Sequence, residues 1–336
     1  MLMLIFAMTR TAFVTGARGF VGQGLVEALV RDGWDVRALS RPGADNTFLA
    51  ATSAEIIDGY ITDWHSLMHG VAGADVIFHL AGITRALYPQ EFYRVNHGGS
   101  IALAHACLQA SPIPGKLIVL SSLAAGGPSR MDRPRTEDDP DAPLTPYGRS
   151  KRAGEKALVS LLEGHLPVSA LRPPGIYGPR DRDYLEFFKM VRSRLTLTVG
   201  LRDRVMSMVY VDDVINAMLR MAEISIPHGR FYYISDGEYH TWEQLAIMAG
   251  ELLGKKPLVI RLPSPVGTVV GEISELWGRF IKKPLAYNRV RATKARQRAW
   301  TCRSNFLGEE LGFTPAWMLR DALPITIRWY QERGWL

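Results

Sequence analysis

The chain has 336 residues, 47% of them hydrophobic and 22% charged, with a formal net charge of +7. That length holds a large core in one domain or two, and the apolar content is ordinary for a globular protein. Two cysteines, Cys107 and Cys302, exclude a disulfide framework and match no metal-ligand spacing, and no apolar run is long enough to span a bilayer. The opening MLMLIFAMTR has no basic residue before its apolar run and no small-residue cleavage site after it. It therefore reads as a tail over residues 1–7 rather than a secretory signal, and a reducing cytoplasm is the expected compartment.

From there strand and helix patterns alternate. TAFVTG (Thr11–Gly16) is a short apolar run ending in glycine, followed by an amphipathic helix over Phe20–Arg31. Strands are predicted at Trp34–Ser40, Ala54–Gly59, Ala74–Gly82 and Lys116–Ser122, with a helix at Glu91–Gln109 before the last of them. A helix from Tyr147 to Gly164 and a strand at Pro167–Pro173 extend the series. Short apolar strands spaced by helices predict an α/β fold of the Rossmann type, a doubly wound parallel sheet with right-handed crossovers. Beyond Pro173 the turn-rich PPGIYGPRDRD precedes a helix at Tyr184–Arg194. Ser207–Glu223 reads as a strand passing into a helix, and Arg230–Asp236 as a strand. Thr241–Gly254 reads as a helix with Thr241 as N-cap and Gly254 as stop. The expected division is a nucleotide-binding domain over 8–173, completed by about 207–236, with an interleaved substrate-binding lobe over 174–206 and 237–336.

TGARGFVG spaces Gly16, Gly19 and Gly22 between the first strand and the first helix. Glycines there permit a tight turn and close backbone approach, and the helix N-terminus then meets a pyrophosphate. The second strand discriminates between dinucleotides. An acid near its end would suit the ribose hydroxyls of NAD, and an arginine suits the 2′-phosphate of NADP. The strand ends in Ser40 and Arg41, Asp35 lies too early, and Arg18 adds a cation within the glycine loop. This charge pattern favours NADP(H) over NAD(H).

In TPYGRSKRAGEKAL, Tyr147 and Lys151 stand four apart, on one helix face. An ammonium beside a phenol pulls its pKa down from about 10 and makes it usable as an acid or base near neutral pH. The plain alternative is an ordinary pair of surface neighbours.

The glycine loop, FHLAG (Phe78–Gly82), LSSLAAGG (Leu120–Gly127), the tyrosine–lysine pair and LRPPGIYGPRD (Leu171–Asp181) occur in one order at one set of spacings. Together they resemble the extended short-chain dehydrogenase/reductase superfamily over nearly the whole chain. The resemblance implies that Tyr147 is the catalytic acid/base, that Lys151 lowers its pKa and holds the nicotinamide ribose, and that Ser122 polarises the substrate carbonyl. Ser121 is then the structural neighbour, a strand-end hydroxyl capping backbone. Asn96 matches the superfamily's helix asparagine and joins the catalytic set. The implied cofactor residues are Gly16, Arg18, Gly19, Phe20, Val21, Gly22, Arg41, Leu80, Ala81, Gly82, Pro173, Tyr147 and Lys151. A homodimer through the Glu91–Gln109 and Tyr147–Gly164 helices is also implied. One departure stands out: DGYITD has Tyr60 where many relatives carry an adenine-binding aspartate, with Asp63 further on.

The later motifs separate branches. Nucleotide-sugar epimerases and dehydratases carry an arginine and an aspartate where MSMVYVDD has Met206 and Ser207, with Arg204 two residues away, and their later arginine has no counterpart near Asn288–Thr293. Without those clamps a sugar nucleotide is poorly held. SMVYVDDV and the C-terminal run instead resemble the 3β-hydroxysteroid dehydrogenase and dihydroflavonol-reductase branch. That likeness implies a small hydrophobic ketone or alcohol as substrate, with an epimerase or dehydratase as the alternative and a redox-sensing binding protein as a third reading. Candidate substrate contacts are Arg85, Leu123, Ala124, Pro174 and Tyr177. Leu262–Leu285, an apolar helical stripe and then basic, reads as a lid, an interfacial membrane helix or ordinary packing. From Leu276 to Gly308 there are nine basic residues and no acid. This stretch reads first as a solvated basic face, with peripheral membrane contact through 262–303 as the specific alternative and no nucleic acid expected.

Overall fold

The computed structural model describes residues 9–285, 287 and 289–336, so the tail expected at 1–7 lies outside the described residues. The strands are β1 (Thr11–Thr15), β2 (Asp35–Ser40), β3 (Glu55–Asp58), β4 (Val76–His79), β5 (Lys116–Leu120), β6 (Val168–Arg172) and β7 (Gly175–Tyr177). They continue as β8 (Leu195–Val199), β9 (Val205–Met206), β10 (Met208–Tyr210), β11 (Arg230–Tyr233), β12 (His240–Thr241), β13 (Leu258–Leu262) and β14 (Ala299–Trp300).

One seven-stranded sheet, parallel throughout, runs in the order β11-β6-β5-β4-β1-β2-β3. β4 and β6 are buried at every position, as a parallel sheet covered on both faces requires. Helices Phe20–Arg31 and Val211–Glu223 cover one face through Leu25, Leu29, Val214 and Met218. Gly98–Gln109 and Pro146–Leu161 cover the other through Leu103, Cys107 and Leu158. Chain order reverses between β1 and β4, which pair directly, and the crevice beyond their carboxyl ends is where such sheets bind ligands.

The later segments are interleaved. β11 returns to the main sheet beside β6, while β13 pairs with β8, β10 with β7, and β9 joins β12 to β14. Thr241 accepts from the Gln244 N–H in a capping box, and Gly254 stops that helix in the left-handed region at φ 63°. The helix expected over Glu91–Gln109 differs in its first part: Pro89–Phe92 enters a π turn, Tyr93–His97, before Gly98–Gln109. Such turns commonly mark functional positions, and this one holds Asn96.

Candidate active site

At the glycine loop the backbone comes too close for side chains. A Cβ on Gly16, at φ 74°, would lie 2.7 Å from the Ala81 nitrogen, and one on Gly22 would lie 2.2 Å from the Gly16 oxygen. Gly19 caps the helix Phe20–Arg31, so the helix N-terminus opens onto the crevice between β1 and Leu80-Ala81-Gly82. This cradle, kept clear by absent Cβ atoms, fits a dinucleotide pyrophosphate. Arg18 donates from Nε to the Asp45 carbonyl at 2.8 Å, beside the β2 end, and Arg41 is exposed there. Asp45 turns its carboxylate onto Thr47 (2.7 and 3.0 Å), and the Ser40 hydroxyl bonds Asn46. Tyr60 is exposed beyond β3, and Asp63 is occupied as the N-cap of the next helix.

Ser122, Tyr147 and Lys151 converge at the ends of β4 and β5. Ser122 Oγ accepts from the Ala124 N–H at 3.1 Å and lies near enough to the Tyr147 phenol to lower its pKa. The backbone-capping hydroxyl is thus Ser122, not Ser121 as expected; Ser121 Oγ is buried and makes no hydrogen bond. Lys151 Nζ donates to the Leu120 carbonyl at 2.7 Å, and the Cβ position of Gly82 lies 3.8 Å from that nitrogen. Pro173 receives the Leu123 N–H at 2.8 Å, fixing the segment after Ser122.

The electrostatics correct one expectation. Burial pushes the Tyr147 phenol above its ordinary pKa, the Ser122 hydroxyl pulls it partway back, and the Glu155 charge raises it. Lys151 is not among the causes. Its own pKa falls to about 8, chiefly through burial, with Glu155 opposing. Two groups removed from water both favour their neutral forms, which outweighs the through-space help expected from the i,i+4 spacing. His79, between the Thr15 (2.9 Å) and Ser100 (3.2 Å) hydroxyls, is held neutral with a pKa near 3 by burial and by Lys151.

Asn96 is buried and fully hydrogen-bonded. Its Oδ1 accepts the Ile83 N–H at 2.8 Å, and Nδ2 donates to the Ile83 carbonyl and the Ser150 hydroxyl (3.2 and 3.0 Å). Those bonds tie the loop after β4 to the Tyr147 helix and consume both Nδ2 protons. A second support has no counterpart in the sequence reading. Arg172, at the end of β6 and 3% exposed, donates to both Glu155 oxygens (2.9 and 2.7 Å) and to both Asp141 oxygens (2.7 and 3.2 Å). Arg152 also pairs with Asp141, at 2.5 Å. Breaking such a buried network by removing one partner is costly, so it locks the helix to the sheet.

Above Ser122 opens a cavity of about 690 Å³, with Leu123, Ala124, Pro174, Phe187, Leu197, Val270, Trp242 and Trp300 in its wall. Of the candidate substrate contacts, Leu123, Ala124 and Pro174 line this cavity. Tyr177 does not: it is fully buried against Tyr210, because β7 turns it into the core. Arg85 is one step removed, pairing with Asp183, which is on the wall and also receives Arg291 at 3.0 Å. Arg204, Arg291 and Lys294 are wall residues as well. Lys294 Nζ lies 5.1 Å from the Tyr147 ring centre and 5.7 Å from that of Trp300. Burial and Arg291 lower its pKa to about 8. The acid-free basic run is therefore not simply a solvated face: Arg291 and Lys294 turn inward on the helix Arg289–Ala295. Only their charge, not their direction, was visible in sequence.

The family model for the NAD dependent epimerase/dehydratase family matches residues 12–235. A ceramide reductase from Caulobacter vibrioides is 32% identical over 325 residues, covering 96% of this chain and 95% of its own. A 3 beta-hydroxysteroid dehydrogenase/Delta 5-->4-isomerase from Mycobacterium tuberculosis is 27% identical over 341 residues, covering 95% and 91%. The UDP-glucose 4-epimerase structure from Thermotoga maritima superposes with a TM-score of 0.77 over 96% of this chain and 99% of that one, at 21% identity, a likeness of fold.

Proposed function

The chain belongs to the NAD dependent epimerase/dehydratase family, and from that premise we propose that it is an NADP(H)-dependent oxidoreductase acting on a hydrophobic ketone or secondary alcohol of lipid-like, steroid-like or flavonoid-like kind. The observation that carries this reading is the largely apolar cavity of about 690 Å³ directly above Ser122. The glycine cradle would hold the pyrophosphate, Arg18 and Arg41 the 2′-phosphate, and Lys151 the nicotinamide ribose. When bound, the nicotinamide supplies or takes the hydride.

The chain's own residues handle the proton and the carbonyl oxygen. Tyr147, kept above its ordinary pKa by burial, holds its proton at neutral pH and is armed as an acid, which suits ketone reduction. The Ser122 hydroxyl, placed beside that phenol, orients the carbonyl oxygen toward it. Asn96 and the Arg172 network keep the helix in register, and the apolar wall excludes water from the carbonyl. The ceramide reductase and 3β-hydroxysteroid dehydrogenase relatives support a greasy substrate.

A nucleotide-sugar epimerase or dehydratase with tightly held NAD(P) is the second reading, favoured by the wall cations. Two of those cations are already engaged: Arg291 with Asp183, and Arg204 with the Ser264 hydroxyl at 3.0 Å. The deciding assay follows nicotinamide absorbance with NADPH or NADH against long-chain 3-oxo lipids, steroid ketones and UDP- or dTDP-glucose. NADPH-linked reduction of the apolar ketones is expected, and Tyr147→Phe should lower kcat by about 10²–10⁴-fold with little change in NADPH affinity. Sugar-nucleotide conversion without net nicotinamide consumption would transfer the assignment to the second reading.

A further inference from the structure

The helix Ser264–Phe280 is built inside out. At about 100° per residue, Gly267, Gly271, Ser274 and Gly278 fall on one arc, and this small-residue face packs inward. A Cβ on Gly267 would lie 2.4 Å from Val199, Ser274 Oγ donates to the Tyr287 carbonyl at 2.6 Å, and the three glycines are buried. The large apolar residues Val266, Val269, Val270, Ile273, Leu276, Trp277 and Phe280 share a neighbouring arc, and all are exposed. Trp277 is 57% and Phe280 78% exposed, with their rings 5.4 Å apart. Glu272, Glu275 and Arg279 occupy the remaining arc, Glu275 and Arg279 paired at 2.7 Å.

A contiguous exposed stripe of this kind marks a docking surface. Its occupant is indicated by charge and by continuity. Lys282 and Lys283, both exposed, follow the stripe directly, and no acid occurs from Leu276 to Gly308. The stripe also runs into the cavity above Ser122: Val270, on the same arc, is a wall residue, as is the exposed Leu197. No helix among the described residues is long and apolar enough to cross a membrane. An amphipathic helix with aromatic residues on its apolar face and lysines at its end lies in the plane of an anionic bilayer surface.

We propose that Ser264–Phe280 docks the protein on anionic lipid surfaces and sets the cavity mouth against the bilayer, so that a lipid-like substrate enters without crossing water. Docking rests on this helix alone, and substrate entry rests on the lipid-ketone reading above. The test is sedimentation of the full chain with vesicles of phosphatidylcholine alone or mixed in equal parts with phosphatidylglycerol, run beside NADPH-linked turnover of a short, water-soluble ketone and size-exclusion chromatography. Wild type should sediment with the mixed vesicles and far less with phosphatidylcholine alone.

The double variant Trp277→Ser/Phe280→Ser, which touches neither the cavity wall nor the cradle, should bind mixed vesicles roughly 100-fold more weakly, from the lost apolar burial. Lys282→Glu/Lys283→Glu should lose the preference for phosphatidylglycerol, and both should turn over the soluble ketone as wild type does. Wild type left in the supernatant, or the serine variant binding undiminished, overturns the proposal. A wild-type dimer that the serine substitutions split, without wild-type vesicle binding, would overturn it in favour of a second copy as occupant. Vesicle binding as expected with no ketone turnover by any protein supports docking and overturns the functional reading.

Discussion

Replacing Lys151 by Met isolates the cost of burying an amine beside the phenol. Burial lowers the Lys151 pKa from 10.5 to about 8 in the folded protein. At about 1.36 kcal/mol per unit, that shift stores about 3 kcal/mol against the folded state wherever both states are protonated. Below pH 8 the penalty is present in full. Between 8 and 10.5 the folded protein has released the proton while the unfolded chain keeps it, so wild-type stability rises with pH, and above 10.5 the penalty is gone. Lys151→Met removes this dependence and also leaves the Leu120 carbonyl without its 2.7 Å donor, a loss that does not vary with pH. The assay is urea unfolding of both proteins from pH 7 to pH 10.5. The stability of the variant relative to wild type should fall by about 3 kcal/mol across that range, while its turnover stays negligible throughout. A difference that is flat in pH would refute the reasoning, because it would mean the ammonium is as well solvated in the fold as in the unfolded chain.

Glu155→Ala should leave the Arg172 guanidinium with Asp141 as its one remaining carboxylate and lower stability by about 3–5 kcal/mol, read as a shift of the urea midpoint; a shift below about 1 kcal/mol would deny the network its role. Gly22→Ala should abolish detectable dinucleotide binding in a fluorescence titration, since its Cβ would stand 2.2 Å from the Gly16 carbonyl oxygen. Unchanged affinity there would show that the cradle is not the pyrophosphate site.

Local patterns carried far into this fold. Short apolar runs spaced by helical patterns predict strands, and β1 to β6 all lie within the segments so marked. The helix from Phe20 to Arg31 coincides with its amphipathic stretch, and the Thr241 cap and Gly254 stop are where their side-chain chemistry requires. The glycine spacing likewise announced a cradle, because a backbone that must approach another backbone leaves no room for Cβ. These features were readable because each depends on residues close together in the chain.

Solvation and direction were not readable in the same way. The i,i+4 pairing of Tyr147 with Lys151 is local, yet the phenol's pKa is raised because distant segments pack around both groups and remove them from water, with Ser122 only partly offsetting that burial. Periodicity found the apolar stripe after Leu262 but gave no sign that glycines would face the protein and Trp277 and Phe280 the solvent. Charge counting found the basic run, while the turn of Arg291 and Lys294 into the cavity depends on Asp183 and Tyr147, contributed from more than a hundred residues earlier. Sequence pattern thus settled where the strands of the central sheet form and where the tight glycine turn lies, since backbone sterics and periodicity act over a few residues. Which charges are desolvated, paired or exposed follows from distant segments packing together, and that packing sets the chemistry of the site.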